Sequence, residues 1–236
     1  MPLSEPTDRQ PDPLVSVILT SHNYEKYVGE AIASVLDQSK PPAEIVVVDD
    51  GSDDGSADVV HGFGRLVTYV AQRNAGASSA RNRGVSESSG ALLAFLDADD
   101  LYLSLKLEIQ SRVLEQDASI DVVFAHWREF HSPDVTDDRR QRLRPPVERS
   151  GAPMAAAMLI RRAAFERVGD FDPTLELGID VDWGTRMRGQ DLTSVVLDDI
   201  VYERRLHADN SWTRSADARR DLLRVVRSRH DRRRGR

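Results

Sequence analysis

Apolar residues fall into short solid runs early in the chain, with helically spaced stretches between them. Leu14-Val15-Ser16-Val17-Ile18-Leu19 is one such run, stopped by Thr20-Ser21-His22-Asn23. Runs of this length read as strands buried on both faces. From Glu25 to Gln38 the apolar positions are Val28, Ala31, Ile32, Val35 and Leu36, the spacing of a helix with one buried stripe, and Pro41-Pro42 ends it. Glu44 to Val48 is a second strand, cut off by Asp49-Asp50-Gly51-Ser52, and Leu66 to Val70 is a weaker one. Ala75 to Ser89 reads as a loop and then a helix, stopped by Gly90. Ala91 to Leu96 is the next strand, and it runs into Asp97-Ala98-Asp99-Asp100.

Strand and helix alternate through this half. That order predicts an α/β fold, a Rossmann-like, mostly parallel central sheet with helices on both faces. Ligands of such sheets bind beyond the carboxyl ends of the strands, where this chain places its polar clusters. The second half is more mixed. Leu105 to Gln116 is expected to be helical and Asp121 to Ala125 a strand. His131 to Ser150 is polar and carries Pro133, Pro145 and Pro146, so a mobile loop is expected there. Met154 to Ile160 reads as a strand feeding a helix from Arg161 to Val168; Asp180 to Arg188 is a helix after Gly178, and Leu192 to Leu197 is a short strand.

Composition narrows the function classes. The 236 residues are 40% hydrophobic, ordinary for a globular chain, with a net charge of −7. That charge is unevenly placed. Residues 216–236 carry nine arginines against three aspartates, so the body is more acidic than the total implies. An acidic body argues against nucleic acid as a partner. The basic tail is expected to be a frayed, solvated end, with peripheral contact to an anionic membrane surface as its alternative use. There is no cysteine, which excludes disulfides, thiolate metal sites and a cysteine nucleophile. A reducing compartment fits, and the protein is expected to be cytoplasmic. No apolar run approaches the roughly 18–20 residues of a membrane span. Residues 1–13 are polar and proline-rich, unlike a secretory signal, and are expected to be disordered.

Two acidic clusters carry candidate chemistry. In an extended segment alternate residues share a face, so Asp97 and Asp99 can point the same way. Paired carboxylates suit Mg²⁺, which takes one or two of them plus phosphate oxygens and water. The same residues could instead start the helix that follows. Asp49 to Ser56 is rich in Asp, Gly and Ser, the composition of a turn, although a carboxylate just past a strand can also bind a base or a ribose.

The order of these elements resembles family 2 glycosyltransferases. The resemblance rests on Val15 to Thr20 with Asn23, Ile32 to Gln38, Glu44 to Ser52, Asn74-Ala75-Gly76, Ala80 to Gly84 and Phe95 to Asp100. It continues through Leu159 to Phe165, Val168 to Asp172 and Asp180 to Trp183, covering about residues 14 to 210. The resemblance implies a GT-A fold over 14–215, with a nucleotide-sugar-binding half (14–103) and an acceptor-binding half (104–215). It implies an inverting, hexosyltransferase-type enzyme that uses a nucleotide diphosphate sugar, by default a UDP-sugar, with Mn²⁺ or Mg²⁺. The acceptor, whether saccharide, lipid, peptide or small natural product, is not readable from the sequence. By position, Thr20, Ser21, His22 and Asn23 would line the nucleotide site, and Asp50 would bind the base. Asp97 would lie near the ribose, with Ala98 and Arg81 also on the donor. Asp99 and His207 would hold the metal. Asp180 would be the general base, with Asp182 as its alternative. Arg204 and Arg205 are candidates for phosphate pairing, and Trp183 for stacking a sugar or filling the core. Two departures stand out: His22 where the family often has Tyr, and Ile179 where it often has Glu. Two other readings stay open, a nucleotide-binding scaffold without turnover and a nucleotidyltransferase. The latter commonly has a glycine-rich loop after the first strand, and Thr20 to Tyr24 has no glycine.

Overall fold

The structure is a computed structural model that describes residues 14–136, 138 and 145–207. The expected disordered segment 1–13 and the basic tail 216–236 lie outside the described residues. β1 (Val15–Ser21) is buried at every position, as its apolar run demands. Its side chains alternate between two cores. Val15, Val17 and Leu19 pack with Val28, Ala31, Ile32 and Val35 of α1 (Val28–Leu36). Ile18 faces the other way and shares a core with Leu93, Phe95, Phe165 and Trp183.

Eight strands form one sheet in the order β3-β2-β1-β4-β7-β6-β8-β5. β2 (Glu44–Asp49), β3 (Thr68–Ala71) and β4 (Leu92–Asp97) continue the parallel set around β1. β7 (Met158–Arg161) is antiparallel to both of its neighbours, β4 and β6 (Val122–His131). Two reversals return β6 to the direction of β4, and β8 (Ser194–Leu206) runs parallel to β6. The C-terminal ends of β1, β2, β4 and β8 therefore lie on one side of the sheet. The short β5 (Leu101–Tyr102) pairs antiparallel with β8 and covers its far edge. The expected mostly parallel α/β sheet is present.

The further helices with bounds among the described residues are α2 (Ser56–His61), α3 (Ala77–Glu87), α4 (Lys106–Gln116), α5 (Arg162–Val168) and α6 (Ile179–Met187). α2 and β5 were not expected. Each is too short to build a periodic apolar pattern. The expected strand from Met154 starts only at Met158, because Ala155–Ala157 forms a 3₁₀ turn first. The expected loop from His131 is shorter than its composition implies. β6 runs to His131, and Val147 and Ser150 pair back onto Glu129 and Trp127. The largest difference is β8, expected to end at Leu197 and extending to Leu206. Asp198, Asp199, Glu203, Arg204 and Arg205 hide it from a hydropathy reading. Leu197 and Ile200 pair with consecutive residues of β6, so Asp198 and Asp199 are bulged out of the ladder.

α3 reaches the sheet through Gly84. A Cβ there would lie 2.3 Å from Cγ2 of the fully buried Ile18. Ile18 is β-branched and sits mid-strand, so it cannot turn away cheaply. Gly84→Ala is expected to cost about 1–3 kcal/mol by overpacking, read as a lower denaturation midpoint at unchanged m-value. A second strained point lies under α4. Lys106 is fully buried, with Nζ donating to Gln110 Oε1 (2.6 Å) and Met158 O (3.1 Å), and burial pushes its pKa down to about 7. Above pH 7 the unfolded chain holds a proton that the folded chain has released, so this group adds stability as pH rises toward the unfolded value near 10.5. Compared with Lys106→Met, the wild type should therefore gain stability between pH 7 and 10 in paired urea titrations.

Candidate functional site

The loops that follow the parallel strands are stitched to one another. Asn23 takes a positive φ of 59° at the end of β1. Its N–H donates to Ser52 Oγ (2.9 Å), and its Oδ1 accepts from Asp53 N (2.9 Å). Tyr24 N donates to Ser56 Oγ and Glu25 N to Asp54 Oδ2 (both 3.0 Å). The 49–56 cluster is thus partly a turn that grips the β1–α1 loop. Gly51 is required within it: its φ is +75°, and a Cβ would meet Asn74 N at 2.8 Å.

Asp50 differs from its acidic neighbours. It is buried and accepts from Gln72 Nε2 (2.7 Å), Ala75 N (2.8 Å) and Gly76 N (2.8 Å). It thereby fixes the Asn74-Ala75-Gly76 loop that starts α3. His22 sits beside it, with Nδ1 2.9 Å from Asp50 O and Nε2 3.1 Å from Asn74 Nδ2. A neutral ring carrying its proton on Nδ1 satisfies both contacts.

The end of β4 supplies the acidic centre. Asp97 accepts from Thr20 Oγ1 (3.1 Å) and takes two bonds from Arg81 Nη2 (2.9 and 3.0 Å). Burial raises its pKa, but the Arg81 guanidinium outweighs this and holds the carboxyl below its usual range. Asp99 Oδ2 lies 3.0 Å from His207 Nε2, and the Tyr24 hydroxyl bonds the same carboxylate. Asp100 accepts from the Tyr202 hydroxyl and from Arg205 N (2.8 Å). Burial, together with the charges of Asp99 and Asp97, pushes Asp100 well above the usual carboxylate range.

β8 holds this centre from the far side, and the two arginine candidates separate. Arg205 is buried between the rings of Tyr27 and Phe130, at 4.8 and 4.9 Å. Its Nε bonds Asp99 O (2.8 Å) and its Nη2 bonds Glu30 Oε2 (2.6 Å). Arg205 is therefore a strut for the Asp99 loop. Arg204 faces the cleft and lies 3.6 Å from Glu129 Oε1. The cleft's wall includes Thr20, Ser21, His22, Asp50, Asp97 and Asp99, all expected from the sequence. It also includes Tyr24, Asp100 and Ala80. Asn23, Ala98 and Arg81, expected on the donor, do not line it. Asn23 is spent on the Asp53 turn, Ala98 is fully buried, and Arg81 lies behind Asp97. Tyr24 was missed because nothing in the sequence shows that a residue beyond the β1 loop bends back to Asp99.

Asp180 lines a separate pocket, in the first turn of α6. Phe171, Trp183, Met154 and Met158 surround it. Burial raises its pKa, while Arg81, with Nη1 3.3 Å away, opposes that shift. Asp182, the alternative base, turns inward and bonds Arg186 Nε (2.9 Å). Trp183 fills the core, stacked on Phe165 with its Nε1 donating to Gly169 O.

Asp99 and His207 face each other beside the cleft, and this donor set of carboxylate and imidazole fits a divalent cation such as Mn²⁺ or Mg²⁺. Among the described residues no three such side chains form a ready-made cage. A cation held here would complete its shell with ligand oxygens and water.

Known proteins share this architecture. The family model for glycosyl transferase family 2 matches residues 16–169. An uncharacterized glycosyltransferase of Rickettsia typhi is 30% identical over 213 residues, covering 83% of this chain and 64% of that protein. An uncharacterized glycosyltransferase of Nostoc sp. is 33% identical over 177 residues, covering 67% of this chain and 54% of that one. The chain thus spans about two thirds or less of the curated relatives it matches. Among solved structures, S. aureus TarS 1–349 in complex with UDP-GlcNAc superposes with a TM-score of 0.74 at 20% identity, covering 92% of this chain and 65% of that one. No described helix is long and apolar enough to cross a membrane. With a family model spanning most of the sheet and an acidic cleft at the strand ends, this chain belongs to glycosyl transferase family 2.

Proposed function

We propose that the chain transfers a sugar, with inversion, from a UDP-sugar to a hydroxyl-bearing acceptor, assisted by a divalent metal. The observation that carries this reading is a buried arginine that joins two unlike carboxylate sites. Asp97 and Asp99 line the cleft, Asp180 lines a separate apolar pocket, and Arg81 bonds both Asp97 and Asp180. The solved complexes of TarS with UDP and UDP-GlcNAc support a uridine donor.

In this reading Thr20, Ser21 and His22 receive the base, and Asp50 shapes the loop beside it. Asp97 accepts from the ribose hydroxyls. Asp99 and His207 would hold Mn²⁺ or Mg²⁺, which as a Lewis acid would offset charge on the departing diphosphate. Arg204 adds a cation on the same side. Asp180 takes the proton from the acceptor hydroxyl as it attacks the anomeric carbon opposite the leaving group. An ordinary aspartate is a weak base near neutrality, and the buried surroundings of Asp180 strengthen it.

Nucleotide release from a panel of nucleotide sugars, with and without Mn²⁺, tests this. UDP release that needs metal and is lost in Asp99→Asn is the expected result. Pyrophosphate release from a nucleoside triphosphate supplied with a sugar 1-phosphate would mean a nucleotidyltransferase, and tight binding without product for any donor would mean a scaffold. Asp180→Asn should keep UDP affinity by calorimetry and lose roughly 10²–10⁴-fold in turnover, the usual contribution of a general base. Loss of UDP binding in that variant would overturn the assignment.

A further inference from the structure

Arg81 was expected to touch the donor, but its geometry describes a different task. The side chain is only 6% exposed and starts from the second turn of α3. Its guanidinium bridges the two carboxylate sites, Asp97 of the cleft and Asp180 of the apolar pocket. Nη2 bonds both oxygens of Asp97 at 2.9 and 3.0 Å, and Nη1 reaches Asp180 Oδ1 at 3.3 Å. The ring of Phe171 lies 5.5 Å from its Cζ, and Nε has no hydrogen-bond partner among the described residues. A buried donor left unsatisfied is costly. It is tolerated here because the two terminal nitrogens are already committed to carboxylates on opposite sides.

We propose that Arg81 is the positioning residue of the general base, one cation divided unequally between Asp97 and Asp180. This rests on reading Asp180 as the base. The inequality is the functional point. Paired with Asp180 alone, a buried guanidinium would hold the carboxylate too acidic to take a proton. With no cation nearby, burial would keep Asp180 protonated. Asp97 takes the two short bonds and so draws most of Arg81 away. The remaining long bond fixes Oδ1 of Asp180. Other charges facing Asp180 are Asp97 from β4 and Arg204 from β8, with the Ala155 N–H as a further donor. On its own helix Asp182 is already paired with Arg186. Among these groups, Arg81 and Asp97 act on Asp180 in opposite directions.

That opposition gives a test that needs no substrate. The carboxyl of Asp180 is followed by ¹³C NMR in the full chain with labelled aspartate, its signal assigned by its loss in Asp180→Asn. Arg81→Gln should raise the titration midpoint by about one to three pH units, the effect of removing an opposite charge at close range. Asp97→Asn should lower it, because it removes a like charge and leaves Arg81 to Asp180. Arg81→Lys should fall between the wild type and Arg81→Gln. A midpoint that stays within 0.3 pH units of about the wild-type value in both Arg81→Gln and Asp97→Asn, or that moves the same way in both, overturns the proposal. In a turnover assay Arg81→Lys should lower kcat and leave UDP affinity by calorimetry within about threefold. UDP affinity falling in step with kcat would instead make Arg81 a donor ligand. If Asp180→Asn kept full transfer, the base assignment would fail by itself, whereas the NMR titration would still decide whether Arg81 and Asp97 oppose each other.

Discussion

Like charges brought close together in a buried site cannot all remain ionised unless cations stand among them. Asp97, Asp99 and Asp100 meet this constraint in one cleft, Asp180 is tied to them through Arg81, and much of the architecture answers it. Arg81 arrives from α3 and takes Asp97 and Asp180. Arg205 arrives from β8 and bonds the Asp99 carbonyl, while its backbone N–H serves Asp100. Asp100, with no arginine side chain bonded to it among the described residues, is pushed well above the usual carboxylate range and accepts from the Tyr202 hydroxyl, and Asp180 is raised by burial as well. Each cation comes from a different element. If α3 or β8 shifted on the sheet, a carboxylate would lose its partner, and breaking such a buried pair from one side costs about 3–5 kcal/mol. The electrostatics of the site and the packing of the sheet are therefore one problem. Gly84, which lets α3 lie directly on Ile18, sits one helical turn from Arg81.

How much of this the sequence revealed depended on the kind of residue. β1, β2 and β4 were legible because both faces of a central parallel strand are covered, so nearly every residue must be apolar. β8 was not, although its C-terminal half is equally central. Tyr202 and Arg205 are buried there through hydrogen bonds and ring stacking rather than through hydropathy. A charged side chain buried by its partners looks the same in sequence as one exposed to water. That ambiguity kept Arg204 and Arg205 equivalent in the sequence, whereas the structure gives one to the cleft and the other to the interior.

The site was legible to the same degree. The aspartates that end β2 and β4 announced themselves, because a carboxylate after a solid apolar run has few structural reasons to be there. Their division of labour did not. Asp49 and Asp54 accept from turn N–H groups and the Tyr69 hydroxyl, Asp53 donates its N–H to Asn23, and Asp50 beside them lines the cleft. Adjacent residues of a strand end point to opposite sides of the sheet, and no count of carboxylates identifies which one faces the ligand. Contacts such as Tyr24 to Asp99, or Arg81 to Asp180, join segments 75 and more residues apart and exist only once the sheet order is set.

The two pockets joined by Arg81 have opposite characters, and the contrast matters for the proposed reaction. On the nucleotide side carboxylates, hydroxyls and backbone donors are dense, which suits a charged ligand that brings its own cation. On the other side Asp180 stands among Phe171, Trp183, Met154 and Met158. Water there would stabilise the carboxylate and make it a poorer base. The apolar pocket leaves the Asp180 side chain half-buried, 22% exposed, and burial alone favours the protonated form. Arg81 supplies the counter-charge from α3, buried within the protein, with Nη1 3.3 Å from Asp180 Oδ1. Partial burial and a shared buried cation each fail singly. Together they would make the proposed base more basic than a free aspartate while keeping a cation beside it, which is what deprotonating an alcohol in step with its attack requires.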